Sequence, residues 1–168
     1  MLNGVDAIYQ VTEENLVWAT TTPTDIASKM VLGTYVWDVG SLDVSVGEQK
    51  FQFQVTGSDK DTAVVTLNGE STDKERYRQF YSFLLNTTAE TVKLDGEPAG
   101  EMLGEIHVRT QDGKFERDLQ FYAIDEFTCL ITADGKSAYT CRKTYLDTLL
   151  NNMNIYDDTS QDFTTNWS

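Results

Sequence analysis

The strongest constraint on this fold is a change in the spacing of apolar residues. In KFQFQV, Phe51, Phe53 and Val55 alternate with Gln52 and Gln54. A period of two gives a strand with one buried face. In STDKERYRQFYSFLLN, Tyr77, Phe80, Tyr81, Leu84 and Leu85 follow the stripe of an amphipathic helix. That spacing predicts a helix over 73–86, with Thr72 and Glu75 as a capping box. A chain that switches period in this way must lay a helix against a sheet.

Strand signals surround that helix. YVWDV (35–39), LDVSV (42–46) and AVVTL (63–67) are short and separated by Gly, Ser and Asp. Gly47-Glu48 predicts a hairpin turn, as do QDGK and Asp134-Gly135. TAETVKL, GEIHVRT, KFERDLQFYAI, FTCLIT and SAYTCRK read as further strands. Within KFERDLQFYAI, Arg117 interrupts an apolar face of Phe115, Leu119, Phe121 and Ala123. Tyr145, Leu146, Leu149, Leu150 and Met153 predict a closing helix over 144–153. The expected fold class is α+β, an antiparallel β-sheet with a few helices packed on one face.

The two ends of the chain echo each other. LNGVDAIYQV and TADGKSAYTC each place a turn dipeptide before a tyrosine, and each tyrosine precedes a leucine by seven residues. The echo reads as tandem repetition. Residues 1–33 are then the trailing part of a preceding unit, 34–153 a complete α+β unit and 154–168 a polar tail that Phe163 and Trp167 can anchor. A lone trailing strand needs a partner for its backbone. DAIYQV is therefore expected at a sheet edge, in this unit or in edge-strand self-association with a second copy.

Composition narrows the chemistry. With 13 Lys and Arg against 27 Asp and Glu, the formal net charge is -14. Nucleic acid is not an expected partner, because phosphate binding needs clustered basic residues. One histidine and two cysteines do not supply a zinc site without carboxylates. No EF-hand loop, nucleotide-binding glycine motif or nucleophile elbow occurs, so no metal, cofactor or catalytic residue is expected. His107, between Ile106 and Val108, points away from the apolar face of its strand. Asp38, Asp43, Asp118, Asp125 and Glu126 are scattered, and no local spacing pairs them for glycoside hydrolysis. Asn86-Thr87-Thr88 and Asn166-Trp167-Ser168 match the glycosylation acceptor pattern.

Cys129 and Cys141 flank the Asp134-Gly135 turn. A three-residue loop sets them diagonally, and a two-residue loop on opposite faces. Neither register sets them directly opposite, so two free, buried thiols are expected. The aromatics Trp18, Tyr35, Trp37, Tyr122, Tyr156 and Trp167 exceed what the core requires. Trp18, Trp37, Tyr122 and Trp167 are the candidate binding residues on an exposed surface; as core residues, they would staple helices and tail to the sheet.

Three long stretches resemble a bacterial domain-of-unknown-function family, numbered 4340. They are LVWATTTPTDIASKMVLGTYVWDVGSLDVSV, VTLNGESTDKERYRQFYSFLLNTTAETV and GEIHVRTQDGKFERDLQFYAIDEFTCLITADGKSAYTCRKTYLDTLL, within residues 5–153. The matching features are the Asn68-Gly69 turn, the aromatic helix after it, the Pro98-x-Gly100 opening of a paired-strand block, and a tyrosine strand before a leucine helix. Members often carry tandem copies after a membrane anchor and are often encoded beside transporter components of the gliding-motility kind. The resemblance implies an extracytoplasmic, non-catalytic accessory module with a protein partner in a bacterial membrane complex. This sequence departs from the family in lacking the anchor and the first half of the first copy. The alternatives are a domain binding a small ligand or cell-wall glycan through the aromatics, and a hydrolase using the scattered carboxylates.

Overall fold

Hairpins build much of the sheet, because short turns at Gly47-Glu48, Asn68-Gly69 and Asp134-Gly135 each join two neighbouring strands. The structure is a computed structural model that describes residues 31–86 and 89–165. Its strands are β1 (Val39–Val46), β2 (Gln49–Thr56), β3 (Val64–Leu67), β4 (Glu70–Ser71), β5 (Thr91–Val92), β6 (Met102–Thr110), β7 (Glu116–Ala123), β8 (Thr128–Ala133) and β9 (Lys136–Arg142). Its helices are α1 (Lys74–Leu85) and α2 (Lys143–Asn154). The strands form one sheet in the order β4-β3-β2-β1-β6-β7-β8-β9-β5. All neighbours run antiparallel. The fold is α+β, and each outermost strand is only two residues long.

Two meanders, β1 to β4 and β6 to β9, join where β1 pairs with β6. Between them the chain leaves one edge at β4, runs through α1 and reaches the other edge at β5. Eight strand spacings span about 38 Å in a flat sheet, whereas a 12-residue helix spans about 18 Å. The extended residues on either side of the helix make up the rest of that path, and α2, which follows β9 directly, touches β1 and β2.

The inner face carries Leu42, Val44, Phe51, Phe53, Val55, Ile106, Val108, Leu119, Phe121 and Ile131, all buried. From α1, Tyr77, Phe80, Tyr81 and Leu84 meet it, as the stripe predicts. Phe80 lies with its ring 5.8 Å from Phe51 and 5.7 Å from Phe53. Phe83, on the flank of the stripe, stacks on Tyr145 of α2 at 5.4 Å.

Several local expectations are corrected. Residues 35–38 form a turn rather than the start of a strand, closed by Asp38 N donating to the Tyr35 carbonyl at 3.0 Å. The cap of α1 is Asp73, whose Oδ1 accepts from Arg76 N at 2.7 Å. Thr72 instead donates its hydroxyl to Tyr156 Oη, and Glu75 pairs with Arg78. Gly100, in the Pro-x-Gly segment, lies against Ala123, where any Cβ would strike the Ala123 carbonyl oxygen.

The tail after α2 is also more than a polar appendage. Arg76 is 6% exposed. Its guanidinium donates to the carbonyls of Tyr156, Gln161, Ile155 and Asp158 at 2.8–3.3 Å. It lies 3.6 Å over the Phe163 ring, while Tyr156 is buried against Phe51. Phe163 thus anchors the tail, as expected, against Arg76, Phe80 and Tyr156. The preceding half-repeat and the docking of DAIYQV concern residues outside the described ones, although Val31 and Leu32 are buried in this same core.

Two measurements check this packing. Phe80→Ala is expected to lose about 3–5 kcal/mol in a denaturant titration; a loss under about 1 kcal/mol would remove the helix from the core. Arg76→Ala takes the side-chain donor from the Tyr156 and Gln161 carbonyls, while those of Ile155 and Asp158 keep backbone donors, and is expected to cost about 3 kcal/mol. Limited proteolysis should then cut first within 155–165, and an unchanged cleavage pattern would deny Arg76 its hold on the tail.

Candidate functional site

Alternation that buries one face of β2, β1, β6 and β7 sends Gln52, Asp43, Ser45, Glu105, His107, Glu116 and Asp118 to the other. The 93–100 loop packs over the outer face near Ala123, Leu130 and Ser137, and the face carrying Asp43, Glu105 and His107 lies open beside it. An open depression of about 770 Å³ lies there, lined by these residues together with Lys50 and Asp134. Five carboxylates thus share the depression with two basic side chains, Lys50 and His107.

Strand register makes the group. Asp43 is the cross-strand neighbour of His107, which is in turn the neighbour of Asp118. His107 Nε2 lies 3.2 Å from Glu116 Oε1, and Glu105 accepts a hydrogen bond from Ser45 Oγ at 3.1 Å. Asp134 enters from the β8–β9 turn, at φ 52°. Its Oδ1 accepts from Asp118 N at 3.0 Å, and its Oδ2 meets Arg117 Nη1 at 3.1 Å. Partial burial raises the Asp118 carboxyl above its ordinary value. His107 opposes that rise, while Glu105, Asp134 and Glu116 add to it. Among the described residues, no three His, Cys, Asp or Glu side chains form a group able to hold a metal ion.

A surface of this kind attracts positive charge and hydrogen-bond donors. It is open, and no wall excludes water from a reacting atom, as acid–base chemistry on a bound substrate prefers. Of the scattered carboxylates, the fold brings Asp43 and Asp118 to the two sides of His107. It leaves Asp38, Asp125 and Glu126 outside this group.

The aromatic expectations divide. Trp37 was expected at an exposed binding surface; it is 3% exposed and packs 6.2 Å from Tyr77, because the 35–38 turn folds it under the sheet. Tyr156 is buried likewise, whereas Tyr35 is 61% exposed. Tyr122 is half-buried on the outer face, donates its hydroxyl to Gln120 Oε1 at 2.9 Å and lines a groove of about 400 Å³ beside the 93–100 loop. Trp18 and Trp167 lie outside the described residues.

No family model matches the chain, and no curated protein or solved structure matches it. Fold and site together define an α+β domain with one sheet face closed by helices and the other carrying an open acidic depression beside the 93–100 loop. Among the described residues no helix is long and apolar enough to cross a membrane.

The depression has a testable pH signature. Because Asp118 is raised in the fold, the folded chain holds that proton more tightly than the unfolded chain. This carboxyl therefore favours the fold least above its folded value; the deficit fades as pH falls through that value and is gone below the unfolded one. Asp118→Asn is expected to raise the melting temperature at neutral pH, with the gain shrinking as pH falls toward the ordinary value of 3.8 and absent below it. Melting curves across that range check it; a gain independent of pH would assign the effect to something other than this titration.

Proposed function

We propose that this chain is a non-catalytic interaction module, an extracytoplasmic accessory part of a bacterial envelope complex associated with a transporter. Its protein partner is met through the outer face of the sheet. The observation that carries the interaction reading is the open depression, where Asp43, Glu105, Glu116, Asp118 and Asp134 converge on one uncovered surface. Such a face favours a partner with complementary basic groups, and charge complementarity speeds and orients encounter. The envelope setting is supported by the sequence resemblance alone.

Site-specific photo-crosslinking in the producing cell tests both halves. A crosslinking residue at Gln52, on the outer face, is expected to give a discrete adduct with a membrane-complex protein. The same residue at Gln79, exposed on α1, should give none. Combining Asp43→Lys with Glu105→Lys should cut the Gln52 adduct about tenfold or more, as for a lost charge-paired contact. Equal yields from the two positions, or indifference to charge reversal, would overturn the proposed face.

A further inference from the structure

The β8–β9 hairpin is the one place where two thiols meet among the described residues. Its Asp134-Gly135 turn has two residues, with Ala133 opposite Lys136 and Thr132 opposite Ser137. Ile131 then pairs with Tyr139, so Ala138 is an extra residue that bulges out of the ladder. That single insertion shifts the register and sets Cys129 directly opposite Cys141, against the sequence expectation of diagonal or opposed thiols. Both are buried free thiols at the inner face.

We propose that Cys129 and Cys141 are a thiol-oxidation site that closes into a cross-strand disulfide, with a small-molecule or protein disulfide as co-reactant. Directly opposed antiparallel residues have Cα atoms about 4.5–5.5 Å apart, inside the span of about 4.4–6.8 Å that a disulfide bridges. Opposed side chains leave the sheet on the same side, so closing the bond needs a small inward shift and no change of register. The thiols already interact: the Cys141 S–H donates to the Cys129 sulfur, which favours the Cys129 thiolate and keeps Cys141 protonated.

While the hairpin is still accessible during folding, the Cys129 thiolate attacks one sulfur of the co-reactant disulfide, forming a mixed disulfide and releasing one thiolate. Cys141 then gives up its proton and attacks the Cys129 sulfur. The Cys129–Cys141 bond forms and the second co-reactant thiolate leaves. Two protein thiols are oxidised and one disulfide is reduced to two thiols. Because β9 runs directly into α2, the closed bond staples the hairpin beneath the start of that helix. Nothing in this depends on the outer face or its partner.

The test is a redox equilibrium. The full chain is refolded in glutathione buffers of graded reduced-to-oxidised ratio, with a parallel series held in denaturant. Intact mass and peptide mapping read the disulfide after acid quenching. The folded chain is expected to be half-closed, as Cys129–Cys141, in a buffer about tenfold or more further to the reducing side than the denatured chain requires. Linkage then demands that the closed chain unfold at higher denaturant. Half-closure at the same or a more oxidising ratio, a product carrying only glutathione adducts, or a closed chain that fails to fold would each overturn the proposal.

Discussion

A helix that leaves one edge of a sheet and delivers the chain to the other has to lie across it. α1 does this between β4 and β5, and the remaining architecture follows from that crossing. Its apolar stripe commits one sheet face to the core. Residues of the opposite parity are thereby committed to the other face, whatever their chemistry. α2 follows β9 directly and packs on the same face, reaching β1 and β2. Burial of large aromatics, rather than regular hydrogen bonding alone, stabilises this arrangement: Phe51, Phe53, Phe80, Tyr77 and Tyr156 surround one another at 5.1–5.8 Å.

Arg76 solves a problem the crossing creates. The chain beyond α2 turns back over α1, where the carbonyls of Ile155 and Asp158 accept backbone N–H groups and Arg76 supplies a donor to those two as well as to the carbonyls of Tyr156 and Gln161. A buried cation is costly without partners, and buried carbonyls are costly without donors. The two costs cancel here because the guanidinium fork offers its N–H groups to four carbonyls while its plane rests on Phe163. A lysine presents its donors as a compact point and cannot reproduce that fan.

The outer face inherits the chain's excess of acid. Carboxylates accumulate there because helices and aromatics occupy the inner face, and register places the histidine among them. Such a face weakens the domain slightly, as the raised Asp118 carboxyl records. Retaining groups that favour ionic contact over packing is consistent with an interaction surface, where specificity and encounter rate depend on charge.

Much of the fold was legible in local spacing. Period two marked the inner residues of β2, the helical stripe marked α1 and α2, and the turn dipeptides marked the hairpins, because each depends on neighbours within a few positions. Asp73 and Thr72 show the limit at element ends: both can cap, and the contact of Thr72 with Tyr156 decides between them. The polar side of GEIHVRT was readable, but the company of His107 was not. Asp43 reaches it only because β1 pairs with β6 across a separation of more than 60 residues, and no local pattern encodes that pairing. Trp37 looked like a surface aromatic because sequence cannot say which way a turn folds. The cysteines looked mismatched because a one-residue bulge at Ala138 leaves no compositional trace, yet reverses every register argument beyond it. The sequence by itself determined which residues must be buried together within each element. The tertiary structure alone decided which elements became neighbours, because strand order is set by how the whole chain closes around α1.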